Sequence, residues 1–130
     1  MPEQPMAAGA PARETDICAV VVTYHPDATL LAAQLEALQA QAGCVVVVDN
    51  ATPGSSVREL CAATPGTELL SLTENFGLAA ALNAGIAAAH AKPGISHVLL
   101  MDQDSVPERG MVAALKAALG RQSRQGRVGE

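Results

Sequence analysis

The sequence predicts an α/β domain built on a mostly parallel sheet with helices on both faces. Three observations carry this. Four short runs rich in Val and Leu recur along the chain: ICAVVVT at 17–23, CVVVVD at 44–49, TELLSL at 67–72 and SHVLLM at 96–101. The stretches between them have helical patterns, as crossovers between parallel strands require. Each run also ends on polar residues. Right-handed crossovers then leave few topologies, and the order 3-2-1-4 follows, with the chain switching direction between its first and fourth strands. In such sheets ligands bind at that switch point, beyond the carboxyl ends of the strands.

The elements follow in order. The first run, at 17–23, is apolar and β-branched, which suits a strand covered on both faces. Asp27 can cap the next helix, whose apolar stripe is Leu31, Leu35, Leu38 and Ala42, and Gly43 is placed to end it. A second buried strand at 44–49 stops at Asp49 and Asn50. After a Pro-Gly turn come a short helix around 56–63 and a third strand at 67–72. An Ala-rich helix runs over 77–91, where Gly77 supplies a backbone conformation that other residues resist. A fourth strand at 96–101 delivers the chain to Asp102, and a last helix covers 108–119.

Composition narrows the function. The chain has 130 residues, enough for one domain, and its 49% hydrophobic content is aliphatic, because Tyr24 and Phe76 are the only aromatic residues. Phe76 is expected to lid that core. A net charge of −5 with no basic cluster in the apolar part gives no support to nucleic-acid binding. Three cysteines without CxxC spacing, two of them opening strands, read as buried reduced thiols and a cytosolic setting. No stretch is apolar for long enough to span a membrane. His90 and His97 read as surface residues.

The four strand ends place Thr23, Tyr24 and His25, then Asp49 and Asn50, then Glu74 and Asn75, then Asp102 and Asp104 on one rim. Asp102 and Asp104 stand out. In an extended segment they point to one side, and two like charges there each resist ionising unless a cation joins them. GxGxxG and GxxxxGK are both absent, which removes dinucleotide and P-loop readings. A calcium loop needs an oxygen ligand, a glycine and a glutamate where this chain has Val106, Pro107 and Ala113. The haloacid dehalogenase pattern nearly fits LLMDQDS, but that family has its aspartate on the first strand and here it follows the fourth.

VVVTYHPD, VVVVDN, ENFGLAAALNAGI and HVLLMDQDS, in that order, resemble the donor-binding half of the family 2 glycosyltransferases, with a Rossmann-like GT-A fold. DQDS and NFGLA are similar to the family's bacterial rhamnosyltransferases. The resemblance implies an inverting transfer of a sugar, L-rhamnose from dTDP-rhamnose or another sugar from a UDP-sugar, to a glycan or lipid-linked precursor of cell-surface polysaccharide. It implies Mg²⁺ or Mn²⁺ held by Asp104, with Asp102 facing the ribose or the metal. It implies that Asp49 accepts from the imide N–H of uracil or thymine, and that Thr23 and Tyr24 line the base pocket. His25 is a pocket wall or a bystander, and Asn75 and Gly77 contact the donor or only shape the entry to their helix. Each acid also has a plainer reading, Asp102 and Asp104 as solvated turn residues and Asp49 as the cap of the following turn.

The expected organisation is a disordered leader at 1–15, a donor-binding half-domain at 16–119 and a flexible basic tail at 120–130. The family's general base lies beyond the helix that follows the aspartates. Here Glu108 sits too close to them and Glu130 is terminal. The expectations are therefore weak donor binding with little transfer, by a truncated frame, a fragment or one subunit of a split enzyme. A nucleotide-sugar-binding module without turnover is the alternative. An exposed sheet edge prone to self-association, and a location at the cytoplasmic face of the inner membrane, complete the reading.

Overall fold

The computed structural model describes residues 13–124, with side chains described as far as residue 120. Eight elements alternate along it: β1 (Glu14–Thr23), α1 (Ala28–Gln41), β2 (Ala42–Asp49), α2 (Ser56–Ala63), β3 (Thr67–Ser71), α3 (Leu78–His90), β4 (His97–Met101) and α4 (Met111–Arg124). All pairings are parallel and the strand order is β3-β2-β1-β4, as the sequence predicts.

The two central strands are buried on both faces because their side chains alternate between two aliphatic layers. Ala19, Val21, Val45 and Val47 face Leu31, Leu35 and Leu38 of α1, together with Val57 and Cys61 of α2. Cys18, Val20, Val46 and Val48 face Ala81 and Ala89 of α3. Burial of each of the three α1 leucines is worth about 1.5–3 kcal/mol. The second layer is thin because α3 presents alanines and Gly85. A Cβ on Gly85 would lie 2.5 Å from Val20 Cγ1 and 2.9 Å from Val48 Cγ2, so α3 approaches the sheet more closely than any side chain there would allow.

Several boundaries differ from expectation. Asp27 does cap α1, accepting from the Leu30 N–H at 3.0 Å. Gly43, however, does not terminate that helix. The chain passes from Gln41 directly into β2, and Gly43 is needed because any Cβ there would collide with the Thr15 backbone. β1 starts at Glu14, inside the expected leader, and α4 runs from Met111 to Arg124, inside the expected tail. The polar start of β1 is held by Lys116 of α4, whose Nζ bonds Asp16 Oδ1 at 2.9 Å and Glu14 Oε1 at 3.2 Å. Lys116, with Ser96, holds the Asp16 carboxyl below the usual carboxylate range. The rest of the leader and tail, 1–12 and 125–130, lie outside the described residues. Phe76 is 51% exposed and lids no core. Cys18 and Cys61 are buried free thiols, whereas Cys44 is half-buried. His90 and His97 are exposed, as expected. Among the described residues β4 has no second strand partner, and its Leu100 is 47% exposed.

Candidate functional site

A cleft of about 590 Å³ opens at the carboxyl ends of the strands, on the α3 side of the sheet. Tyr24, Asn75, Gly77, Asp102 and Asp104, all expected at the site, line it together. Val22, Asn50, Leu78, Leu82, Leu100, Met101 and Gln103 complete the wall. Thr23, His25 and Asp49 are not among the lining residues.

Thr23 and Asp49 form a buried layer beneath, and exposed His25 is tied to that layer through its backbone. Asp49 is 5% exposed and closes the turn that leaves β2. Its Oδ1 accepts from the Thr23 hydroxyl and from the Thr52 hydroxyl, each at 2.6 Å, and its Oδ2 accepts from the Thr52 N–H at 2.8 Å. A carboxylate offers four acceptor positions, so one on Oδ2 is left. Thr23 is fully buried and spends its hydroxyl on Asp49. The Thr52 hydroxyl in turn accepts from the His25 N–H at 2.9 Å. His25 and Ala51 both hold positive φ, at 51° and 64°, and such non-glycine residues persist where surrounding bonds over-determine them. The Tyr24 and His25 rings meet edge to face, 4.3 Å between centroids.

Asn50 organises the opposite wall. Buried at the end of β2, it accepts from the Phe76 N–H and donates to the Gly77 carbonyl, both at 3.2 Å. Asn75 accepts from the Gly77 N–H at 2.8 Å, an Asx turn. Gly77 has φ 90°, which side chains rarely adopt, and as the N-cap it offers α3 no side-chain cap; the first turn of α3 also carries no acid.

The aspartates follow β4 on a turn rather than an extended segment: the Ser105 N–H donates to the Asp102 carbonyl at 3.2 Å. Both are exposed. Gln103 between them turns toward β1, its Oε1 accepting from the Tyr24 N–H at 2.8 Å and its Nε2 donating to the Tyr24 carbonyl at 3.3 Å. Among the described residues neither aspartate side chain has a hydrogen-bonding or ion-pair partner, and no Lys or Arg lines the cleft. No group of three or more His, Cys, Asp or Glu suited to a metal occurs among the described residues. Two free carboxylates with no third protein ligand suit a hard cation that draws its other ligands from phosphate and water.

Gln103 was not singled out in the sequence, and Asn50 was placed on the rim without a role in the site. A polar residue between two acids, and an Asn directly after a buried strand, were the available signals. The buried glutamines of α1, Gln34 and Gln41, left no such signal, since they read as polar gaps in an apolar stripe.

Comparison with known proteins follows this geometry. The family model described as Glycosyl transferase family 2 matches residues 18–129. The chain is 37% identical over 91 residues to dTDP-rhamnosyl transferase RfbF of Shigella flexneri, which covers 70% of this chain and 30% of that protein. Among solved structures it is similar to S. aureus TarS 1-349, with a TM-score of 0.58 and 19% identity, over 83% of this chain and 33% of that one. The second likeness bears on the fold alone, which is the Rossmann-like half of a GT-A fold. The chain thus spans about a third of the length of each.

Proposed function

Because the chain belongs to glycosyl transferase family 2, we propose that its cleft binds the nucleotide-diphosphate sugar of a rhamnosyl transfer, with dTDP-rhamnose as donor. The observation that carries this is the pair of carboxylates, Asp102 and Asp104, unpartnered among the described residues, on a cleft wall where no described residue is cationic. The similarity to RfbF, named a dTDP-rhamnosyl transferase, supports the choice of sugar and base. The acceptor is a hydroxyl of a glycan or lipid-linked precursor, met at the cytoplasmic face of the membrane.

Each wall has a task. Tyr24, 46% exposed, offers its ring to the base, while Asp49, behind the wall and 5% exposed, has one Oδ2 acceptor position left for an imide N–H that reaches past the cleft lining. The uncapped first turn of α3 turns its free N–H groups toward the anionic half of the donor. Asp104 and Asp102 would hold Mg²⁺ or Mn²⁺, which when bound neutralises charge on a leaving diphosphate. Displacement at the anomeric carbon inverts it and needs a base for the acceptor hydroxyl. Asp102 and Asp104 are the only carboxylates lining the cleft among the described residues, and neither is free for that task. This favours a second reading, in which the chain binds the donor and relies on other residues for turnover.

Calorimetric titration of dTDP and UDP with Mn²⁺, with chelator, and with Asp104→Ala tests the proposal. Binding that requires both metal and Asp104 is expected, with dTDP preferred. A folded chain that binds neither nucleotide, or binds equally well in chelator, would refute it. Release of nucleoside diphosphate from a sugar donor separates transfer from binding alone.

A further inference from the structure

Two glutamines one heptad apart on α1 are buried where leucines would suit the layer: Gln34 is fully buried and Gln41 is 8% exposed. Both reach the segment that carries the aspartates. Gln34 Nε2 donates to the Asp102 carbonyl and, at 2.7 Å, to the Ser105 carbonyl. Gln41 Nε2 donates to the Glu108 carbonyl at 2.9 Å, and its Oε1 accepts from the Val112 N–H at 3.0 Å.

The two differ in one respect. Gln41 satisfies both ends of its amide, whereas Gln34 Oε1 is buried without a partner. The orphaned buried carbonyl offsets much of what the two Nε2 bonds contribute, so stability alone gives little reason for an amide at this position. What the amide does, and a hydrocarbon would not, is grip both ends of the turn between Asp102 and Ser105. Gln103 ties the same turn sideways to Tyr24. The carboxylates themselves are exposed on the cleft wall and, among the described residues, have no partner.

We infer that Gln34 is a positioning residue, which presets the Asp102–Ser105 turn so that both aspartates face the donor's cation together. This rests on the donor-site reading above. Gln34 touches neither metal nor donor and acts only through the two carbonyls. Gln41 fixes the start of α4 and has no such role.

The test uses the full chain with Gln34→Met, which keeps length and removes both donors, and Gln41→Met as control. Three readouts are taken: the urea midpoint, amide hydrogen exchange across 102–106, and Mn²⁺-dependent binding of dTDP or UDP, whichever the wild-type chain binds. Gln34→Met is expected to keep a near wild-type midpoint, to speed exchange in that segment, and to weaken Mn²⁺-dependent binding on the order of tenfold, the usual scale for groups that orient metal ligands. Gln41→Met should lower the midpoint and leave affinity per folded molecule unchanged. Wild-type affinity and exchange in Gln34→Met would overturn the inference, as would equal affinity losses in both variants. If Gln34→Met does not fold, Gln34→Leu, which restores the apolar stripe, takes its place. Should the wild-type chain bind no nucleotide with Mn²⁺, the donor-site reading fails instead. The exchange readout then still decides whether Gln34 holds the turn.

Discussion

Replacing Asp49 by alanine probes the layer beneath the cleft. The carboxylate accepts three hydrogen bonds, two from hydroxyls at 2.6 Å and one from the Thr52 N–H at 2.8 Å. Hydrogen bonds to a charged group contribute about 1.5–3 kcal/mol each, but they do not sum, because Thr52 is half-exposed and regains water on release. Thr23 cannot. It is fully buried, and its stranded hydroxyl alone costs about 1–3 kcal/mol. The expected loss is about 3 kcal/mol, a large share of the roughly 5–15 kcal/mol that holds a domain together. Asp49→Asn keeps an acceptor for the hydroxyls while setting an amide N–H against the Thr52 N–H, and should lose about 1–2 kcal/mol. Urea unfolding followed by circular dichroism reads both, with the slope unchanged if only stability has moved. An alanine variant within about 0.5 kcal/mol of wild type would refute the account of Asp49 as the closure of this rim.

Two further outcomes follow from the packing. Gly85→Ala should gain about 1 kcal/mol of helix propensity yet lose more to the clash with Val20 and Val48, for a net loss of about 1 kcal/mol, whereas exposed Asn83→Ala in the same helix should be slightly stabilising. A stabilised Gly85→Ala would show that α3 is free to lift off the sheet. Desolvation pushes the Cys18 thiol up to about 12 and Cys61 up to about 11, so at pH 8 both should resist a disulfide reagent that half-buried Cys44 meets first. Equal native rates for all three would contradict that order.

The sheet was legible because its signal is local. Runs such as VVVV have few other uses, and Asp27 before Ala28 announces a helix start in adjacent letters. Asp102 and Asp104 were legible for the same reason, being two like charges with no nearby relief in sequence. Gly43 was misread because a glycine after a helix has two explanations, a left-handed cap or a close approach. Only the position of Thr15 on the neighbouring strand selects between them. Thr23 and Asp49 were correctly placed on the rim but not in depth, since the bonds that turn them inward depend on Thr52 and on strand register. Gln34 was invisible for a related reason: its partners are backbone carbonyls far along the chain, which leave no trace in side-chain identity.

The register of the sheet also sets a timetable. β1 pairs with β2, and β2 with β3, across one helix each, but the bond between β1 and β4, beginning at Ile17 opposite His97, closes the longest loop in the sheet. Long closures are entropically late and slow. A chain growing from its amino end can therefore assemble β1, β2 and β3, with Thr23 already bonded to Asp49, while the aspartate turn has yet to be synthesised. Until β4 docks, the Gln34 amide has no carbonyl to grip, and the wall that completes the cleft is the last to arrive.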